Sequence, residues 1–184
     1  METDSNRAGC DHVFVGFGSN LGDSRQMLLK AWRLLGERPE IRLGELSKPY
    51  RTSPVGMSSS HWFVNAVGRL SVTCSPHRLL DIMQEIEAGF GRERDRKRTG
   101  YQDRVIDLDL IYYGDLVCDG SRLTLPHPQR TERLFVLAPL AAIAPHFVDP
   151  EIAGKPTVAA LHRALLQRIA DKQVAEQELL EEIW

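Results

Sequence analysis

Asp107 and Asp109 stand two residues apart in Val105-Ile-Asp-Leu-Asp-Leu-Ile-Tyr-Tyr113, the clearest strand signal in the chain. A period of two puts both carboxylates on one face, about 7 Å apart at ~3.3 Å per residue, while Ile106, Leu108 and Leu110 enter the core. Like charges that close on a sheet face call for a positive neighbour. Mg²⁺, which takes one or two carboxylates together with phosphate oxygens, suits that spacing.

The stretch just before the strand, Gly91 to Arg104, holds six basic residues (Arg92, Arg94, Arg96, Lys97, Arg98, Arg104) against three acids. Its net +3 leaves −5 for the rest of a chain whose total is −2. Arginine forks grip phosphate oxygens in pairs, so arginines beside a carboxylate-held Mg²⁺ make a polyphosphate site without a Walker glycine loop. Taken singly, an Asp-x-Asp is as readily a solvated face, and a charge run a solvated surface. Their adjacency favours the functional reading.

Weaker candidates surround this pair. His127, between Pro126 and Pro128, can bond a phosphate or merely a carbonyl. Phe63 shares a strand face with Asn65, so the ring can stack on a flat heterocycle while the amide bonds its edge, although a phenylalanine at strand period is commonly core. Gly16-Phe-Gly-Ser-Asn-Leu-Gly22 lacks the spacing of a dinucleotide loop and reads as a structural turn.

The elements that must carry these residues follow from periodicity. His12 to Gly18 is a strand ending in a glycine turn, and residues 24–36 form a helix that Asn20 or Asp23 can cap. Ile41 to Thr52 is extended, Trp62 to Val72 alternates as a strand, and Ser75-Pro76 starts a helix that ends near Gly89 or Gly91. With the aspartate strand, the order is that of a ferredoxin-like α/β sandwich, an antiparallel sheet with helices packed on one face. Beyond it come a short hairpin within Val117–Pro126, an apolar helix in Thr131–Ala144, and a helix over Thr157–Ile169. The organisation is a disordered leader at residues 1–11, one domain at 12–167, and an acidic helical extension at 168–184.

Composition sets the outer limits. At 184 residues the chain makes one domain, and 42% hydrophobic with 26% charged residues excludes disordered and fibrous classes. No apolar run spans a bilayer, and the polar N-terminal residues hold no signal-peptide core. Three cysteines far apart suggest neither a disulfide framework nor a thiolate zinc site, which favours a reducing cytoplasm.

Eight motifs in fixed order then carry a resemblance: Gly18-Ser-Asn-Leu21, Tyr50-Arg-Thr-Ser-Pro-Val-Gly56, Phe63-Val-Asn65, Gln84-Glu-Ile-Glu87, Gly91-Arg-Glu-Arg94, Arg104-Val-Ile-Asp-Leu-Asp109, Arg122-Leu-Thr-Leu-Pro-His127 and Arg133-Leu-Phe-Val-Leu-Ala-Pro-Leu140. From about Val13 to Leu166 the chain resembles the 6-hydroxymethyl-7,8-dihydropterin pyrophosphokinases of folate biosynthesis. The resemblance implies transfer of the β,γ-pyrophosphoryl group of ATP to the pterin hydroxymethyl oxygen, with release of AMP. It also implies two Mg²⁺ ions on Asp107 and Asp109, and Arg92, Arg94 and Arg104 acting in catalysis over the triphosphate. Gln84, Glu87, Leu110, Arg122, Thr124, His127 and Arg133 would complete the ATP site. The pterin would stack between Phe63 and Phe135, its edge read by Thr52, Pro54, Val55, Asn65 and Asp107. The implied protein is a cytoplasmic monomer acting on ATP and the pterin, with no nucleic-acid or membrane partner.

The chain departs from the family pattern at Gly100-Tyr-Gln-Asp-Arg104, where Trp-Gly-Pro-Arg is common, and at Phe63, where many members have tyrosine. Two rivals remain on the residues alone. A nucleotide-sugar transferase would use the Asp-x-Asp but needs a longer α/β domain. A ferredoxin-like RNA-binding module would use the basic loop, yet the central strands lack the aromatic pattern and the net charge is negative.

Overall fold

The computed structural model describes residues 9–53, 62–91 and 103–184. The first strand, β1 (Cys10–Ser19), sends Val13, Val15 and Phe17 to one face of the sheet and Phe14, Gly16 and Gly18 to the other. Helix α1 (Ser24–Gly36) follows, its first turn closed by the Asp23 carboxylate accepting from the Gln26 amide at 3.2 Å. Its buried stripe of Leu28, Ala31 and Leu35 packs on β1.

Strands β2 (Ile41–Leu46) and β3 (Tyr50–Thr52) lie end to end along one edge of β4 (Phe63–Val72). Ser47 bridges the break between them: its amide donates to Val67 O at 2.9 Å, and its hydroxyl accepts from the Val67 amide at 3.0 Å. Helix α2 (Pro76–Gly89) starts at Ser75, whose hydroxyl accepts from Arg78 N, with Pro76 in the first turn. Then β5 (Asp107–Tyr113) pairs antiparallel with the other side of β1.

The sheet order is β5-β1-β4-β3, with β2 also on β4, every pairing antiparallel. With α1 and α2 on one face this is the ferredoxin-like sandwich that the sequence order implies. The other face is covered as well. After a small hairpin of β6 (Cys118–Asp119) and β7 (Thr124–Leu125), helix α3 (Leu134–Ile143) lies against Phe14, Val67 and Ile111. Its six buried residues run all round it, because α4 (Val158–Ala170) packs on its outer side through Leu165.

One expectation fails. The chain after residue 170 is not a helical extension: α4 ends at Ala170, and β8 (Leu179–Glu181) returns as a strand along the free edge of β3. The stop is a Schellman motif, with Lys172 N donating to Ile169 O at 3.0 Å and Gln173 N to Arg168 O at 2.9 Å. Lys172 takes φ 55°, the left-handed conformation that usually falls to glycine. The expected leader begins to pair already at Cys10, and its first eight residues lie outside the described part. Among the described residues no helix is long and apolar enough to cross a membrane.

Candidate active site

The face of the sheet that bears Asp107 and Asp109 is open between β1, β3, β4 and the start of α3, and this opening is a pocket. Its floor is β1, where Gly16 sits opposite Asp109 and Val67, and Gly18 opposite Asp107 and Asn65. A Cβ on Gly18 would come within 3.0 Å of Asn65 Oδ1, and one on Gly16 within 3.3 Å of the Ile111 side chain. Glycine at these two positions therefore keeps the floor low. The sequence reading of Gly16 to Gly22 as a turn holds only for its end: β1 stays extended through Ser19, and the bend follows at residues 21–23, where Gly22 takes φ 69°.

One wall comes from β3 and β4. Asn65 is buried and donates from Nδ2 to Thr52 Oγ1 at 2.8 Å, so the two polar groups are locked as a pair beside Phe63. The opposite wall is the first turn of α3, which supplies Arg133, Phe135 and Val136. The Arg133 guanidinium lies 5.5 Å from the centre of the Phe135 ring, a cation–π arrangement, and its Nη1 is 3.7 Å from Asp109 Oδ2. At the other aspartate, Arg104 forms an ion pair with Asp107, both side chains about one-fifth exposed. Each carboxylate of the pair thus has a guanidinium beside it, as the charge argument requires.

The entry to β5 is held from β1. Asn20 is buried, and its amide spans two residues: Nδ2 donates to Asp103 Oδ1 and Oδ1 accepts from Arg104 N, both at 2.6 Å. Its own backbone N–H donates to Arg104 O at 3.0 Å. The acid next to Arg104 is accordingly turned toward Asn20. From the far face, the buried Glu87 accepts the Leu108 amide at 2.9 Å, between the two aspartates.

Thr52, Phe63, Asn65, Arg104, Asp107, Asp109, Arg133 and Phe135 therefore meet in one pocket, as the sequence reading requires. Six other residues named for ATP lie outside its lining. The Leu110 side chain is in the core beneath α1 and α2, Gln84 is half-buried on α2, and Glu87 is engaged as described. Arg122 pairs with Asp81 at 2.7 Å, and the Thr124 hydroxyl bonds Asp119 at 3.2 Å. Arg92, Arg94, Pro54 and Val55 fall outside the described residues.

His127 is held by backbone: its Nδ1 accepts from Gln129 N at 3.1 Å and its N–H donates to Ile111 O at 2.9 Å. Burial, reinforced by Arg133 and Arg130, lowers its pKa to about 4. The ring is neutral at pH 7, and with Nδ1 accepting, its proton sits on Nε2, a ready donor. The same loop is anchored by Arg130, buried against Asp149 at 2.6 Å and donating to His127 O at 3.3 Å. Asp149 also accepts from the Tyr112 hydroxyl at 2.7 Å. Burial alone would raise the Asp149 pKa, but the bonds from Arg130, Tyr112 and two backbone amides outweigh it and hold it low.

Sequence reasoning named Asn20 only as a possible helix cap, a role that Asp23 fills. Its place in Gly18-Ser-Asn-Leu21 is the signal that could have found it. Gln177, described below, carried no signal.

Comparison with known proteins agrees with this geometry. The family described as 7,8-dihydro-6-hydroxymethylpterin-pyrophosphokinase (HPPK) matches residues 14–145. The 2-amino-4-hydroxy-6-hydroxymethyldihydropteridine pyrophosphokinase of Methylorubrum extorquens is 38% identical over 157 residues, covering 85% of this chain and 98% of its own. The enzyme of the same name from a Synechocystis species is 40% identical over 146 residues, covering 79% of this chain and 72% of its own. Among solved structures, Plasmodium falciparum HPPK-DHPS superposes with a TM-score of 0.68 at 12% identity, over 89% of this chain and 46% of that one. This last likeness shows the fold alone. The chain belongs to the 7,8-dihydro-6-hydroxymethylpterin-pyrophosphokinase family, whose reaction is ATP-dependent pyrophosphoryl transfer to hydroxymethyldihydropterin in folate biosynthesis.

Proposed function

We propose that the pocket holds the pterin against Phe63 and Phe135, and that its Asp107–Asp109 end receives the triphosphate of ATP with two Mg²⁺ ions. The observation that carries this reading is the single opening shared by an aromatic and amide-lined wall and two aspartate–arginine pairs. Asn65 and Thr52 present a fixed amide and hydroxyl to the edge of a flat heterocycle, and the aromatic rings supply stacking surface.

The donor set suits a hard divalent ion. Both aspartates are on one strand face at the pocket, and among the described residues no cluster of three or more His, Cys, Asp or Glu forms a closed metal cage. Two carboxylates leave positions for water and phosphate oxygens, which is how Mg²⁺ is held at phosphoryl-transfer sites. Bound there, the ions neutralise and orient phosphate oxygens.

The chain's own groups do the positioning. The pocket sets the hydroxymethyl oxygen toward the β-phosphorus; an O–P bond forms as the bond between that phosphorus and the α,β-bridging oxygen breaks, AMP departs with the bridging oxygen, and the hydroxyl proton passes to solvent. Arg104 and Arg133, with Arg92 and Arg94, stabilise charge that shifts onto phosphate oxygens in transit. Neutral His127 donates from Nε2 to phosphate, while Gln84, Arg122 and Thr124 border the nucleotide; Glu87 and the Leu110 side chain, both buried, support the strand from behind. Pro54 and Val55 complete the pterin edge. Three free cysteines, Cys10, Cys74 and Cys118, fit a cytoplasmic setting.

The test is AMP release from ATP by purified protein. It is expected only with both hydroxymethyldihydropterin and Mg²⁺ present, and is expected to disappear in Asp107→Asn combined with Asp109→Asn while the fold survives. AMP release by that double variant at the wild-type rate would sink the metal assignment.

A further inference from the structure

The residues after α4 lie beyond the family match, which ends at residue 145, yet they touch both walls of the pocket. Helix α3 starts without a side-chain cap of its own: Arg133 stands at the cap position in an extended conformation and makes no capping bond. The missing partner comes from the C-terminal segment. Gln177 Oε1 accepts from Leu134 N at 2.8 Å, and Gln177 Nε2 donates to Glu132 O at 2.9 Å. One amide thus grips the backbone on either side of Arg133, an arrangement that fixes the peptide planes flanking it.

The next residues hold the other wall. Ser53 N donates to Glu178 O at 3.4 Å, and β8 pairs with β3 so that Leu179 is opposite Thr52 and Glu181 opposite Tyr50. The Leu179 side chain joins Tyr50, Leu134, Leu137 and Leu165 in the cluster between the sheet edge and α3. Lys48 and Tyr50 both bond Glu181, at 2.6 Å and 3.2 Å, and the Trp184 indole donates to Ser47 O at 3.0 Å. A segment of five residues, Gln177 to Glu181, the last three of them β8, therefore ties the turn that bears Arg133 and Phe135 to the strand that bears Thr52.

We infer that this C-terminal segment is a positioning strap for the pterin half of the active site, and that Gln177 is its positioning residue, acting through the backbone of Arg133. The inference rests on the assignment of the pocket to the pterin. It gives the acidic tail a role in substrate affinity that the family pattern does not contain. Gln177 touches no reacting group; it sets the direction in which Arg133 and Phe135 leave the first turn of α3.

The experiment compares wild type, Gln177→Ala and Gln177→Glu by steady-state kinetics, by calorimetric titration with the pterin in the presence of a non-hydrolysable ATP analogue, and by thermal unfolding. Gln177→Ala is expected to raise KM and Kd for the pterin by about five- to tenfold, the loss expected of a helix cap and its companion bond, with KM for ATP near wild type. Gln177→Glu keeps the acceptor for Leu134 N and is expected to recover most of that affinity. A purely structural role would instead lower the melting temperature and leave the pterin and ATP constants unchanged, or worsen both alike; either pattern overturns the inference. Absence of pterin binding by the wild type would overturn the pocket assignment first, and the strap's role with it, whereas normal wild-type binding matched by Gln177→Ala would overturn the strap alone.

Discussion

Asn20→Ala is the sharpest probe of how the aspartate strand is held. The substitution deletes a charge-assisted bond to Asp103 and a neutral bond to the Arg104 amide, both 2.6 Å long and both shielded, with Asn20 only 5% exposed. A bond to a charged group contributes roughly 1.5–3 kcal/mol and a neutral one about 1 kcal/mol, so the loss should be about 3 kcal/mol. For a chain of this size that is a fall of about 10 °C in melting temperature. The backbone bond from Asn20 N to Arg104 O survives, so the strand should still form while residues 103 and 104 gain freedom.

Activity should suffer beyond stability. Arg104 reaches Asp107 from the very peptide that Asn20 holds, and a displacement of about 1 Å at a reacting centre costs on the order of 100-fold. At a temperature where the variant is fully folded, kcat for AMP formation is expected to fall by about that factor, with a smaller change in KM for ATP. A double-mutant cycle with Asp103→Asn isolates the charged bond and should return a coupling of about 1.5 kcal/mol or more. A coupling under ~0.5 kcal/mol, or a folded Asn20→Ala enzyme with wild-type kcat, would refute the reasoning.

Two further outcomes follow from the same geometry. Gly18→Ala places a methyl group 3.0 Å from Asn65 Oδ1 and should push that amide off its bond to Thr52, raising the pterin KM by about tenfold with the ATP KM unchanged; a wild-type pterin KM would show that Asn65 is not an edge reader. His127, with its pKa lowered from 6.5 to about 4, binds its proton more readily in the unfolded chain, so its contribution to stability is present above pH 6.5 and is lost as pH falls toward 4. The full loss is at most about 3 kcal/mol at ~1.4 kcal/mol per pKa unit. Denaturant titrations at pH 7 and pH 4.5 should differ less in His127→Asn than in wild type, and an NMR titration midpoint for His127 above 6 would contradict the burial argument.

The aspartate pair and its face were legible because a strand has one periodicity and the alternation through Ile106, Leu108 and Leu110 leaves no choice of side. The capped helices were legible for a similar local reason: Asp23 and Ser75 are cap residues, and each makes the bond its type suggests. The C-terminal strand was not. Gln177 to Trp184 has acids and apolar residues at spacings a helix also uses, and the signal that ends α4 is a lysine at φ 55°, where sequence rules look for glycine. What decides that segment is the unpaired edge of β3, a partner more than a hundred residues away in the chain. Glu87 shows the same limit. Its position in the apolar stripe of α2 accounts for its burial, but its partner is a backbone amide on another element, which no local pattern names.

The electrostatics of the site also explain why acids and bases occur there together. Asp107 and Asp109 are negative groups on a floor meant, in this reading, for a polyanion, and alone they would repel it. Arg104 and Arg133 cover them, so the four side chains carry no net charge and the carboxylates are held without a large uncompensated cost. Were the carboxylates to take up divalent cations as proposed, those guanidinium groups would become available to phosphate oxygens without leaving the pocket, because each is anchored by backbone: Arg104 through Asn20, Arg133 through Gln177. The short reach of this exchange matters more than its charge count. An arginine on a freely moving chain segment would have to be ordered at the moment of reaction, whereas these two are already placed before substrate arrives. The two asparagine and glutamine side chains, neither of which reacts, are thus what makes the charge arrangement usable.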